Sequence, residues 1–140
     1  MIKEFQGPHR FLSNFWPASV VLDDIEYSSV ELAYVAAKTT NLAHRIAISN
    51  MTPGQAKRYG RQIPLREGWD GMKLAVMEDL VRQKFQGELL AKSLLATSPQ
   101  ILIEGNAWGD TFWGMCGGRG ENNLGKILMK IRGEIWEAKQ

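Results

Sequence analysis

The segment from Glu104 to Gly125, EGNAWGDTFWGMCGGRGENNLG, combines the residue types that a nucleotide-like ligand requires. Aromatic faces can stack on a base or a ribose, a carboxylate can stabilise a developing cation, and loop amides can hold a phosphate. The segment is too polar and too rich in glycine to form a core element. It is therefore predicted to be a ligand-binding loop.

Asp110 lies in the middle of this loop and has two interpretations. An aspartate beside Gly109 often closes an Asx-turn, which would be a structural role. It could equally be one of two carboxylates that flank a scissile glycosidic bond. Trp113 and Trp108 are either core residues or walls of a ligand platform, and the glycine-rich setting favours the platform. Trp69, at a helix entrance, is either a hydrophobic staple or another stacking wall.

Glu31 is the second candidate carboxylate. The S-S-V-E pattern that begins at Ser28 is typical of a capping box, which would give Glu31 a purely structural role at the helix N-terminus. However, Glu31, Val35 and Lys38 follow one another at i, i+4 and i+7 on one helical stripe. A carboxylate and an ammonium could then face one cleft. The local pattern is compatible with both roles.

The GxxxxGK pattern at residues 120–126 does not indicate a P-loop. Ile127 follows where a magnesium-binding Ser or Thr is required, and no buried strand precedes the pattern. A glycine-rich loop that enters a helix N-terminus remains a suitable site for an anion. Cys116 is disfavoured as a nucleophile because neither His9 nor His44 is near it in sequence. These three residues have no metal-ligand spacing, so no metal is expected.

The composition is that of one globular domain. The chain has 140 residues, 44% hydrophobic and 23% charged, with a formal net charge of +2. That balance gives little support for nucleic-acid binding. No apolar run approaches a membrane span, and the N-terminus lacks the apolar region of a signal peptide. With a single cysteine and no disulfide to form, the protein is expected to be cytoplasmic, without a membrane association.

The elements that position these residues are mostly helical. Two short strands at 18–22 and 25–28 flank Asp23-Asp24 and predict a hairpin. The sequence also predicts a final helix capped by Asn122 or Asn123. Apolar periodicity and capping signals predict the other elements, which are helices from about Ser28, from Thr52, over 69–85 and over 88–96, and a short strand over 101–104. The fold class is α+β: a helix-dominated single domain, 1–140, with a small antiparallel sheet.

Taken in order, several motifs resemble the NADAR (YbiA-like) family over nearly all of the chain. They are FLSNFWP (11–17), SSVELAYVAAK (28–38), TPGQAKRYGR (52–61), REGWDGMKLAVM (66–77), GDTFWG (109–114) and NNLGKILMKIR (122–132). The resemblance implies a YbiA-like fold and cleavage of N-glycosidic bonds to phosphorylated ribose. One branch of the family hydrolyses pyrimidine intermediates of riboflavin synthesis and releases ribose 5-phosphate. Another branch removes ADP-ribose from guanine in DNA.

The resemblance also assigns residues. It implies that Glu31 is the functional glutamate, that Trp69 is the tryptophan of the R-x-x-W motif, and that Asp110 and Trp113 belong to the D-x-aromatic-W-G motif. Two departures put part of this in doubt. Leu32 and Val35 stand where many relatives have His and Gln, and Met115 stands where some relatives have a further Asp.

An N-ribosyl hydrolase passes through a cationic sugar, so two carboxylates suffice and no cofactor is expected. We expect Glu31 to act as the acid or base and Asp110 to stabilise the cation, although the two roles could be exchanged. The other candidates are expected to bind the substrate. Trp69 and Trp113 would stack on it, Asn14 and Asn123 would hydrogen-bond to it, and its phosphate would be held by Lys38, Arg66 and the amides of Gly117, Gly118 and Gly120.

Two other functions remain alternatives: an ADP-ribosyl hydrolase acting on guanine in DNA, and a non-catalytic module that binds ADP-ribose or a nucleotide. The densest basic group, Lys57, Arg58 and Arg61, is interpreted as a solvated helix face rather than a DNA-binding stripe. A small phosphorylated ribosyl substrate is therefore favoured as the partner over ADP-ribosylated DNA.

Overall fold

The computed structural model describes residues Met1–Gln140 and has the predicted α+β, helix-dominated architecture. It divides into two compact units, residues 14–84 and residues 1–13 with 85–140. A 3₁₀ helix, Gly7–Leu12, precedes the other elements. In chain order these are β1 (Pro17–Leu22), β2 (Ile25–Ser29), α1 (Val30–Ala37), α2 (Leu42–Ser49), α3 (Pro53–Gly60), α4 (Trp69–Lys84), α5 (Glu88–Ala96), β3 (Gly105–Asn106), β4 (Met115–Cys116) and α6 (Asn123–Ala138).

The unit of residues 14–84 begins with the predicted hairpin. Strands β1 and β2 pair antiparallel, with Leu22 opposite Ile25. Asp23 and Asp24 form the two-residue turn, and both have positive φ, 47° and 67°. Aspartate tolerates this left-handed region because its short side chain can hydrogen-bond locally. The prediction of a hairpin around Asp23-Asp24 is confirmed.

Helix α1 is the central element of this unit, because it contacts β1, β2, α2, α3 and α4. Its N-cap is Ser29, whose side chain accepts a hydrogen bond from Leu32 N at 3.2 Å. Helix α3 has the predicted capping box between Thr52 and Gln55, with Pro53 in its first turn. Helix α2, which has the same length as α1 and α3, was not predicted.

The unit of residues 1–13 and 85–140 contains the packed pair α5 and α6. The predicted strand over 101–104 is reduced to a single parallel bridge between Ile2 and Leu102. The prediction that Asn122 or Asn123 is the N-cap of α6 is confirmed for Asn122, but without the expected side-chain hydrogen bond. Asn122 occupies the N-cap position with φ of 53°, but its side chain makes no capping hydrogen bond. Instead, its amide donates to Leu102 O and accepts from Glu104 N, both at 2.9 Å.

Each unit contains fully buried apolar residues. Leu12, Leu94, Leu102 and Leu128 are fully buried in one unit, and Val20, Leu32, Ile48 and Leu80 in the other. None of the helices has the length and apolar character that crossing a membrane would require.

Candidate active site

Glu31 lies on the one part of α1 that is not buried. The other seven residues of the helix are buried, while Glu31 is half-buried. The predicted capping box is wrong by one residue, since Ser29 rather than Ser28 is the cap and Leu32 rather than Glu31 is its partner. Glu31 is therefore not the partner of the capping side chain. Its backbone N–H donates to Asn14 O at 3.1 Å, which places the SNF segment directly beside it.

Lys38 lies at the other end of α1, as its C-cap residue. Its Nζ is 5.4 Å from the centroid of the Tyr34 ring. Burial lowers the pKa of Lys38, the negative charge of Glu31 opposes that shift, and the charges of Arg61, Lys73 and Lys57 add to it. The electrostatic interaction with Glu31 places both predicted charges in one neighbourhood. Several cations converge on Lys38, which is the electrostatic setting of an anion site.

Arg66 adjoins Lys38 through the end of α1. Its backbone N–H donates to Lys38 O at 2.7 Å, and its Nη1 lies 3.5 Å from Ala37 O. These contacts satisfy carbonyls that a helix C-terminus leaves without partners. Helix α3 approaches the same place at Gly60, where a Cβ would lie 2.9 Å from Val35 Cγ1 and 3.7 Å from Lys38 Nζ. The absence of a side chain at Gly60 therefore leaves room for the Val35 side chain, and Lys38 Nζ lies close to the same point.

Arg45 is a residue that sequence reasoning missed. It is 6% exposed, and its Nε donates to Thr39 O at 2.8 Å and to Ala36 O at 3.2 Å. Its Nη1 pairs with Asp23 Oδ2 at 2.6 Å. Arg45 thus joins the hairpin turn to the C-terminal end of α1, and it helps to hold Lys38 in place. The available signal was a single arginine within the otherwise mostly apolar run LAHRIAI.

Trp69 begins α4 and packs against Tyr34, with ring centroids 5.3 Å apart at 54°. Only 5% of Trp69 is exposed, so the indole has no free face for a base. This geometry favours the packing alternative over the stacking wall. Asn14, half-buried, also packs against α4, where its Nδ2 lies 3.5 Å from Met77 Sδ.

Asp110 belongs to the other unit, and its side chain organises the glycine-rich loop. Its Oδ1 accepts hydrogen bonds from Phe112 N at 3.1 Å and from Trp113 N at 2.9 Å. The predicted Asx-type turn is therefore present. Asn106, another residue that sequence reasoning missed, donates to Asp110 O at 2.8 Å and accepts from Asp110 N at 3.0 Å. Asp110 is held on both sides by local hydrogen bonds.

Trp113 and Asn123 both contact Phe112. Trp113 is half-buried, and its ring meets Phe112 edge to face, with centroids 4.8 Å apart. Asn123, the first residue of α6, donates from Nδ2 to Phe112 O at 2.9 Å. The Asn123 side chain therefore fastens the loop to the helix that follows it.

The three predicted phosphate-binding glycines have different roles. Gly117 and Gly118 form the turn from Cys116 to Arg119 with φ of 61° and 77°, and a Cβ at either would meet open space. Their backbone is exposed. Gly120 has φ of 144°, and a Cβ there would lie 2.3 Å from Gly114 O. Gly120 is therefore required for close backbone packing, whereas the amides of the other two are accessible.

The candidates form two groups. Glu31, Lys38, Arg66, Trp69 and Asn14 share the unit of residues 14–84. The loop candidates Asp110, Trp113 and Asn123 and the three glycines belong to the other unit.

Comparison with known proteins defines the class of this chain. The family model described as "NADAR domain" matches residues 2–136, and the chain belongs to the NADAR family. Its fold matches the NMR structure of the Escherichia coli protein YbiA, with a TM-score of 0.85 and 31% identity over 99% of this chain and 89% of that one. The resemblance predicted from the motifs is confirmed, and so is the fold class.

Curated relatives of similar length carry an enzymatic name. N-glycosidase YbiA of Escherichia coli is 36% identical over 130 residues, which cover 88% of this chain and 79% of that protein. An N-glycosidase of Nostoc punctiforme is 35% identical over 137 residues, covering 91% and 86%. A riboflavin biosynthesis protein of Vibrio vulnificus is 37% identical over 92% of this chain, which spans only 36% of that longer protein.

Proposed function

We propose that this protein is an N-glycosidase that hydrolyses the N-ribosyl bond of a phosphorylated ribosyl substrate. Membership of the NADAR family and the relatives named N-glycosidases support a hydrolase acting on N-glycosyl bonds. The proposed substrates are pyrimidine intermediates of riboflavin synthesis, with ribose 5-phosphate as a product. The relative named as a riboflavin biosynthesis protein supports that choice.

The observation that carries the proposal is the placement of a half-buried carboxylate, Glu31, and an ammonium, Lys38, on α1, a helix whose other residues are buried. The carboxylate raises the pKa of Lys38, while burial and three further cations lower it. A phosphorylated ribose is anionic at its phosphate and becomes cationic at its ring in the transition state. A carboxylate and a set of cations on one buried helix and its neighbours fit those two charges.

In the proposed reaction, water adds to C1 of the ribose as the bond from C1 to the leaving nitrogen breaks. The bonding electrons pass to the nitrogen, which gains a proton, while the attacking water loses one. Glu31 is assigned to this proton transfer, because it is a carboxylate whose backbone is fixed by the burial of the other residues of its helix. Preorganisation of this kind lowers the cost of reaching the transition state.

Lys38 is assigned to the phosphate, with Arg61, Lys57 and Lys73 contributing to the local positive potential. Arg66 is assigned to the same phosphate, since its backbone is hydrogen-bonded to Lys38 O. Trp69 is assigned to support Tyr34 rather than to touch the substrate, because it is buried.

Asp110 is assigned to stabilise the cation, because it is the acid of the D-x-aromatic-W-G motif. Both of its side-chain hydrogen bonds end on Oδ1. An oxygen that accepts from two backbone N–H groups keeps the carboxylate oriented. We assign Trp113, Asn123 and the amides of Gly117 and Gly118 to substrate contacts from the same loop. Gly120 is assigned to the packing of that loop.

The test offers the purified protein a ribosylaminopyrimidine phosphate and, separately, an oligonucleotide carrying ADP-ribose on guanine. Products are identified by mass spectrometry, with Glu31→Gln as the matched control. We expect ribose 5-phosphate from the pyrimidine substrate in the wild type and almost none in the variant. Faster release of ADP-ribose from the oligonucleotide would overturn the substrate assignment. Absence of turnover on both would contradict the enzymatic proposal.

A further inference from the structure

Phe15 is an exposed aromatic residue that does not belong to the buried core. Its residue surface is 42% exposed, although the preceding Asn14 is fixed by its hydrogen bond to Glu31 N. The backbone position of Phe15 is therefore tied to the N-terminal end of α1. An exposed ring on a fixed backbone, one residue from a contact with the candidate catalytic glutamate, is suited to meet a ligand.

Lys57 places a cation beside this ring. Its Nζ lies 6.0 Å from the Phe15 centroid, at the outer limit of a cation–π contact. The half-buried Lys57 is three residues before Gly60 on α3, so the two share a helix face. Gly60 adjoins Lys38, and the Lys57 charge lowers the Lys38 pKa. On this helix face Lys57 is half-buried, whereas Arg58 and Arg61 are exposed.

Some aromatic residues of this unit are buried, and others are exposed. Trp69 is 5% exposed and Tyr34 is 7% exposed, and they face each other. Neither has a free face on which a planar ring could lie. Phe15 has a large exposed surface, and the neighbouring ammonium can donate to the oxygen of a heterocycle. The two side chains together match a flat, hydrogen-bond-accepting ring.

We propose that Phe15 and Lys57 form the subsite for the leaving base, with Phe15 stacking on the heterocycle and Lys57 donating to an exocyclic oxygen of it. This proposal rests on the proposed function, since it names the group that the N-ribosyl bond attaches to the sugar. It makes Phe15 a specificity-determining residue: planar heterocycles with carbonyl groups are accepted, and leaving groups without a ring are disfavoured.

The test compares the wild type with Phe15→Ala, Phe15→Leu and Phe15→Tyr. Each variant is assayed for KM with a ribosylaminopyrimidine phosphate and for inhibition by ribose 5-phosphate, which lacks the base. We expect Phe15→Ala and Phe15→Leu to raise KM about tenfold, the scale of one base–aromatic stack, and Phe15→Tyr to restore it. The inhibition constant for ribose 5-phosphate should stay within about twofold, because stacking requires a base.

Ile46→Ala is the control, since Ile46 is 50% exposed on α2 and has no assigned role. It should leave both constants unchanged. A rise in the ribose 5-phosphate inhibition constant equal to the rise in KM, or an unchanged KM in Phe15→Ala, would overturn the subsite.

A binding titration with uridine monophosphate separates this proposal from the proposed function. Binding that is weakened in Phe15→Ala and retained in Phe15→Tyr supports the subsite even if no hydrolysis is detected. Equal binding by the wild type and Phe15→Ala overturns the subsite even if hydrolysis proceeds.

Discussion

The two regions that hold the candidate carboxylates position them by different means. Glu31 lies on a helix that is fixed by the burial of its seven other residues. Asp110 lies in a loop that its own carboxylate helps to form, through hydrogen bonds to Phe112 N and Trp113 N. In the first region the fold positions the candidate carboxylate. In the second region the candidate carboxylate also stabilises the loop that carries it.

This difference determines what a substitution reports. A change at Glu31 tests the proposed chemistry and should have little effect on the helix, because Ser29 is the residue that caps α1. A change at Asp110 alters charge and loop structure together unless the replacement keeps an acceptor at Oδ1. The predictions below use this contrast, from the largest expected effect to the smallest.

The largest effect is expected at the tryptophans. Trp69→Ala should lower the free energy of unfolding by about 3–5 kcal/mol, because it leaves a cavity beside Tyr34. Trp113→Ala should cost clearly less, since Trp113 is half-buried in the loop. Urea denaturation measures both. Equal losses of unfolding free energy in the two variants would contradict the expectation that Trp69 is more tightly packed than Trp113.

Glu31→Gln should reduce turnover by at least ~10²-fold, the usual scale for loss of an acid or base. The amide has nearly the same shape, so the melting temperature and the affinity for ribose 5-phosphate should change little. Steady-state kinetics and calorimetry provide the measurements. Turnover close to that of the wild type would exclude Glu31 as the proton-transfer group.

Asp110 is best tested with a pair of variants. Asparagine keeps an acceptor for Phe112 N and Trp113 N, so Asp110→Asn should retain the loop and lower turnover about 10²-fold through the lost charge. Asp110→Ala should in addition lose about 1 kcal/mol of stability, as at other caps. Kinetics and thermal unfolding are compared for the pair. Full activity in Asp110→Asn would leave this carboxylate with a structural role alone.

Lys38 should give the smallest effect, as a pH dependence. Burial lowers its pKa, so its ammonium is lost at a lower pH than that of an ordinary lysine. The affinity for ribose 5-phosphate should therefore fall about tenfold as the pH rises through that pKa, the fall that loss of about 1.4 kcal/mol produces. Lys38→Arg should show no such fall, because arginine stays charged.

The pH dependence of this affinity also tests the interaction between Glu31 and Lys38. The negative charge of Glu31 raises the pKa of Lys38, so Glu31→Gln should move the loss of affinity to a lower pH. Asp110→Asn is the control. The same pH dependence of the affinity in the wild type and in Glu31→Gln would contradict an interaction between Glu31 and Lys38.

Much of the fold followed from local signals. The hairpin around Asp23-Asp24, the capping box of α3 and the extents of α4 and α5 depend on neighbouring residues, and all were predictable for that reason. The short strands β3 and β4 and the bridge at Leu102 were not, since parallel pairing joins segments that carry no local pattern.

The sequence by itself determined the family, the helical stripe that carries Glu31 and Lys38, and the turn-forming character of Asp110. Only the tertiary structure decided that Ser29 rather than Ser28 is the cap, that Trp69 is buried and Phe15 exposed, and that Arg45 supports the end of α1. The physical reason is that helical spacing and turn preference are properties of nearby residues. Burial and the partners of a long side chain depend on segments that meet only when the chain is folded.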